Sequence, residues 1–143
     1  MLYDEIDDPG ETTPTRLHEE YLAELAETIT SVGPDEVVDG TDLDPEMVES
    51  VADGEQVDMT LEDAAAILAT ADGMPDSDSI LLEVRDHLLM GMTTGVVDID
   101  TLAREIDGDL EARAIQKKIE GRGPMTLDEY ARIHHAIAKR NDR

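Results

Sequence analysis

Met-Thr-Leu occurs at residues 59–61 and again 66 residues later, at 125–127. The punctuation around the two copies runs in the same order. Each half has a long amphipathic stretch, a Gly stop, a short apolar segment and a turn. A second short segment, another Gly stop and a Thr-headed helix start follow. Two copies at this period make a tandem duplication rather than a solenoid. The duplication is the strongest constraint on the fold, because one architecture must serve both halves.

The period within each half is helical. Leu17, Tyr21, Leu25 and Ile29, with Leu22 beside them, form one stripe, and Gly33-Pro34 ends it. A short helix is expected around Val37-Val38. Asp44-Pro45 starts another, with Asp as cap and Pro in the first turn, and Met47, Val48 and Val51 give it an apolar side up to Gly54. Thr60 heads the next, which continues through 64–71. In the second half a long helix is expected over 80–94, ending near Gly95. A short helix capped by Asp98 or Asp100 follows, then an Asp107-Gly108-Asp109 turn. A helix over 110–120 ends at Gly121, and a last helix runs to about Arg140. Thr126 and Glu129 have capping-box spacing, and Met125 and Tyr130 flank them as a hydrophobic staple. No segment alternates like a strand. The expected fold class is all-α, with two tandem helix-turn-helix-like helical units. Residues 1–15 form an acidic arm, 16–73 the first unit, 74–79 a linker and 80–143 the second unit.

What can fill the core is restricted. The chain has three tyrosines, Tyr3, Tyr21 and Tyr130, and neither Phe nor Trp. The core must come from Ala, Val, Ile, Leu and Met, and Met47, Met59, Met90, Met92 and Met125 are expected to fill it. With no Cys, disulfide scaffolds, thiol nucleophiles and Cys-bound zinc are excluded. The 143 residues carry 36 acidic and 11 basic side chains, for a net charge of −25. Such a charge strains a compact state by self-repulsion, and concentrated salt relieves the strain, since the Debye length falls to about 3 Å at 1 M. Acid-rich, Lys-poor and aromatic-poor, the composition resembles cytoplasmic proteins of salt-accumulating archaea. An ordinary acidic protein, such as a nucleic-acid mimic or chaperone partner, is the alternative.

The charge is unevenly distributed. Residues 1–103 hold 28 acidic and two basic side chains, a balance of −26, whereas 104–143 hold eight acidic and nine basic, a balance of +1. Such asymmetry hints at a surface that meets a polyanion. The sequence turns acidic immediately after Met1, unlike a secretory signal. The apolar stretch over 80–97 is interrupted by Glu83, Arg85, Asp86 and His87, so no membrane span is expected and the expected location is the cytoplasm.

Two short helices joined by a tight turn make a helix-turn-helix. Val37-Val38 through Leu43, Asp44, Val48, Val51 and Gly54 resembles the Cro-like phage-repressor helix-turn-helix. Leu102-Ala103, Ile115, Ile119-Glu120-Gly121-Arg122 and Pro124-Met125-Thr126 are similar to the same family, with extra residues around 108–111. The whole chain also resembles an uncharacterised family of small acidic haloarchaeal proteins, a domain of unknown function. The repressor resemblance implies a recognition helix in each half. In the first, Glu46, Glu49 and Ser50 do not favour phosphate. In the second, Arg113, Gln116, Lys117 and Lys118, with Arg122 after them, can read bases and meet phosphates. Arg113 and Lys117 are four apart and project together, away from Ile115 and Ile119. Glu111, Glu120 and Asp109 are near enough to neutralise them.

Adjacent His134 and His135 point about 100° apart on a helix and cannot chelate together. One is expected at the core edge and the other in water. Asp42, Asp44 and Glu46 alternate as in a calcium loop but lack its glycine. Neither a metal nor a cofactor is expected, and without a convergent acid, base and nucleophile the chain is read as no enzyme. The leading expectation is a cytoplasmic transcriptional regulator that meets double-stranded DNA through the second unit. The alternative is a protein-interaction module or homodimer with a degenerate helix-turn-helix fold and no nucleic-acid binding. For the salt-adapted composition, far-ultraviolet circular dichroism should show helicity at about 3 M KCl that collapses at about 0.1 M. A spectrum unchanged between the two counts against it.

Overall fold

Thr13 sets where the helical body begins. In the computed structural model, which describes residues 2–4, 8–106 and 110–141, its hydroxyl accepts the Arg16 N–H. The helix therefore starts at Pro14, two residues before the apolar stripe suggests. Among the described residues the architecture is all-α, with eight α-helices and no strand. They are α1 (Pro14–Val32), α2 (Pro34–Asp39), α3 (Pro45–Ala52), α4 (Leu61–Leu68), α5 (Ser77–Gly95), α6 (Ile99–Glu105), α7 (Ala112–Ile119) and α8 (Leu127–Asn141). Short 3-10 turns at Leu2–Asp4 and Pro9–Glu11 precede them. The expected turn at residues 107–109 lies outside the described residues.

Asp and Thr side chains satisfy the exposed N–H groups at several helix starts. Asp44 accepts from Glu46, Asp76 from Ser79 and Asp98 from Thr101, so Asp98 and not Asp100 heads α6. Asp76 moves the start of α5 to Ser77, into the segment expected to be a linker. Both capping boxes form. Thr60 and Asp63 exchange bonds at α4, and Thr126 and Glu129 do the same at α8. Anions at a helix N-terminus also meet the positive end of the macrodipole.

The two halves follow the same plan. The buried Ile80, Leu81, Val84 and Leu88 of α5 stand 63 residues after the buried Leu17, His18, Tyr21 and Leu25 of α1. The turns after α3 and α7 pass through glycines at positive φ, Gly54 at 82° and Gly121 at 78°. The repeated tripeptides meet. Leu61 N–H donates to the Met125 carbonyl at 2.7 Å, and Leu127 N–H donates to the Met59 carbonyl at 2.8 Å. This reciprocal antiparallel bridge places Thr60 against Thr126.

Around the bridge, α1, α4, α5 and α8 pack into a central layer. α1 and α5 each lie against both α4 and α8. The α2–α3 and α6–α7 pairs flank this layer, α3 on α1 and α6 on α8. The interior is continuous across both halves and includes Leu2 from the N-terminal segment. Met59 and Met125 are buried in it, Met47 and Met92 lie at its margin, and Met90 is exposed, contrary to its expected place in the core.

α5 and α8 approach closely at Gly91. A Cβ there would lie 2.6 Å from Ile137 Cγ2, and Asn141 Nδ2 donates to the Gly91 carbonyl at 3.1 Å. In an exposed helix, Gly→Ala stabilises by up to about 1 kcal/mol. Here the Ile137 methyl branches from its Cβ and has little room to move, and such overpacking costs about 1–3 kcal/mol. Gly91→Ala should therefore lower unfolding stability by about 1 kcal/mol, read from denaturant midpoints in concentrated KCl. An increase means that α5 and α8 are not in this contact.

Candidate interaction face on the seventh helix

Ile115 and Ile119 are buried and set the rotation of α7. With those two inward, Arg113, Gln116 and Lys117 are exposed, Lys118 is half-buried, and Arg122 lies exposed just beyond the helix. The structure thus brings all five expected residues to one side of the second half. The same stations of α3, 67 residues earlier, carry Glu46, Glu49 and Ser50. The duplicated scaffold displays an acidic face on one short helix and a basic one on the other.

Three of the five side chains are engaged inside the chain. Gln116 Nε2 donates to Glu120 Oε1 at 3.1 Å, and Arg122 Nε donates to Glu120 Oε2 at 2.9 Å. The Gln116 amide foremost, and then Arg122, hold the Glu120 carboxyl below its usual range. Lys118 Nζ donates to the Pro124 carbonyl and to Glu129 Oε1, each at 2.9 Å. Burial pushes the Glu129 carboxyl up, but the Thr126 backbone N–H and Lys118 outweigh it, and the net shift is downward. Lys118 thereby ties the end of α7 to the capping box of α8. The side chains of Arg113 and Lys117 make no hydrogen bond or ion pair with any described residue. One helical turn apart, they can meet carboxylates or phosphates.

Other cations also pair within the chain. Arg16 meets Glu20 at 2.7 Å, Arg132 meets Asp128 at 2.8 Å, and Arg85 crosses from α5 to Glu62 of α4 at 3.2 Å. Among the described residues, no three His, Asp or Glu side chains gather as a metal site, and no helix is long and apolar enough to cross a membrane.

One polar cluster escaped the sequence reading. His134 lies inside the core rather than at its edge, with Nδ1 2.5 Å from the Tyr21 hydroxyl of α1. Tyr130 stacks beside it with ring centroids 5.5 Å apart, and His87 of α5 meets it edge-on at 5.7 Å. Tyr3 stacks on His87 at 4.2 Å. All three tyrosines of the chain thus join one cluster spanning both halves. The i, i+4 spacing of Tyr130 and His134 on an apolar stripe was the available signal. His135 does not simply face water, since its Nε2–H donates to the Thr12 carbonyl at 2.8 Å. Burial raises the Tyr21 hydroxyl, with Tyr130 adding to it. Burial foremost, then His87 and His135, lowers His134 to about 4. The Tyr21–His134 bond therefore joins two neutral groups at neutral pH.

Fold and face together define a duplicated all-helical protein with one basic face, most of whose polar tips are already engaged. Residues 17–140 match a family of unknown function, DUF5791, and the chain belongs to that family. No curated protein and no solved structure matches the chain.

The neutral His134 makes stability depend on pH. Unfolded, a histidine takes up its proton near pH 6.5, whereas this one resists until about 4. Between those values the unfolded state binds more protons, so stability falls as pH drops through the window. The slope approaches about 1.4 kcal/mol per pH unit. His134→Gln should remove that slope, measured as the difference between wild-type and variant unfolding free energies across the window. Parallel curves disprove the assignment.

Proposed function

We propose that this protein is a non-enzymatic interaction module of a salt-rich cytoplasm, built on a degenerate helix-turn-helix bundle that does not bind nucleic acid. The observation that carries this reading is the internal capture of Gln116, Lys118 and Arg122 by Glu120, Glu129 and the Pro124 carbonyl. A base-reading face must present such tips unengaged, because phosphate and base contacts replace water and not existing ion pairs. Only Arg113 and Lys117 among the five remain, against a net charge of −25. Two phosphate contacts give a slope of log affinity on log salt of about −2, a small driving force that molar salt removes. The first unit adds none, since Glu46 and Glu49 stand where Arg113 and Gln116 stand in the second.

The exposure of Arg113 and Lys117 one turn apart supports a second reading, a regulator that meets DNA through these two residues alone. Fluorescence anisotropy with labelled duplex DNA, from about 0.2 M to molar KCl, separates the readings. The interaction module shows no saturable binding. Saturable binding that disappears in Arg113→Ala with Lys117→Ala overturns the proposal and establishes the DNA reading.

A further inference from the structure

Helix α5 carries a face that its twin lacks. The four large hydrophobic side chains exposed among the described residues are Leu82, Leu89, Met90 and Val96, all on α5 or its C-cap. Leu82, Leu89 and Thr93 share one side of the helix, with Met90 beside them. A shallow groove of about 470 Å³ continues that side, lined by Leu89, Met92, Thr93, Val96, Val97 and Asp98. In α1, 63 residues earlier, the stations of Leu82 and Met90 are Glu19 and Glu27, and that of Val96 is Gly33. The same scaffold therefore has an ordinary acidic outer face in one half and an apolar one in the other.

Val96 sharpens the contrast. It is the non-glycine residue at positive φ among those described, at 52°, where its twin is a glycine. A β-branched side chain is strained there, and this one is 85% exposed. Both features work against the isolated chain, since glycine at this position would remove the strain and the exposed apolar surface together.

We infer that α5 is a homodimer interface, in which the face from Leu82 to Val96 packs antiparallel against the same face of a second copy. This rests on the reading of the chain as an interaction module and names its partner. Charge selects the occupant. Residues 88–97 are the longest run in the sequence without an ionisable side chain, in a chain where 36 of 143 are acidic. Two bodies of charge −25 can approach only where neither presents carboxylates, and a two-fold axis sets this neutral window against itself. An axis midway between Leu89 and Met90 also pairs Asp86 with Thr93 of the second copy, a hydroxyl donor, rather than with another Asp86. It pairs Leu82 with the Val96-Val97 end. Burial of apolar groups drives the association, so concentrated KCl should strengthen it.

Sedimentation velocity over a concentration series in about 3 M KCl tests this. Wild type should reach twice the 15.7 kDa monomer mass. Leu89→Glu, which places a carboxylate beside the axis, should remain monomeric. Val96→Gly removes the strain, so it keeps or raises unfolding stability while weakening dimerisation about tenfold or more. Arg113→Ala with Lys117→Ala should leave the dimer intact. A wild-type monomer throughout the series overturns the inference, as does a dimer unaffected by Leu89→Glu and Val96→Gly. Neither result touches the anisotropy test above, and DNA binding there would overturn the interaction-module reading while leaving the dimer in place.

Discussion

The reciprocal pair of backbone hydrogen bonds between Met59–Leu61 and Met125–Leu127 is the constraint from which the rest of the molecule is arranged. Each donor is the first residue of a helix, so the bridge satisfies two N–H groups that helix geometry leaves open. It brings the starts of α4 and α8 side by side, and the Thr60 and Thr126 capping boxes set both helices from the same point. With these two helices placed, α1 and α5 cover them from both sides. α8 then holds His134 in the aromatic cluster and supplies Glu129 to Lys118.

High acidity and a poverty of aromatics are accommodated by the same economy of side chains. Aspartates head helices where backbone N–H groups stabilise their charge, as the lowered carboxyls of Asp76 and Asp98 record. Most described cations pair with carboxylates of their own chain, and Arg85–Glu62 and Arg140–Glu105 join separate helices. Exposed pairs of this kind contribute only about 0–1 kcal/mol each, so cohesion rests on the aliphatic interior. The three tyrosine rings are gathered at the one place where the halves share a polar hydrogen bond. What remains for the outside is an acidic surface interrupted by two exposed cations on α7 and a neutral strip on α5.

Local signals were legible wherever a short-range rule governs the backbone. The stripe of Leu17, Tyr21, Leu25 and Ile29, the Asp44-Pro45 start and the Thr126–Glu129 box all describe the structure. Helix starts at Pro14 and Ser77 were placed late, because capping by Thr13 and Asp76 extends a helix beyond its apolar stripe. The α7 site was legible in composition and rotation, since Ile115 and Ile119 dictate which side chains face outward. Engagement of those side chains was not. The pairing of Lys118 with Glu129 spans eleven residues and a chain reversal, and which of several nearby acids a cation chooses depends on where that reversal ends. Met90 was misplaced because a methionine on a helix reads as core unless the neighbouring helices are known.

By itself, the sequence determined that the chain is helical, duplicated, highly acidic and short of aromatic filling, because helical period, caps and charge are properties of residues and their near neighbours. Only the tertiary structure decided that the two Met-Thr-Leu copies bond to one another and that His134 is buried against Tyr21. It also decided that Lys118 is spent on α8 and that the outer side of α5 is left apolar. Each of these depends on how distant segments meet, and packing selects among partners that the local sequence leaves equivalent.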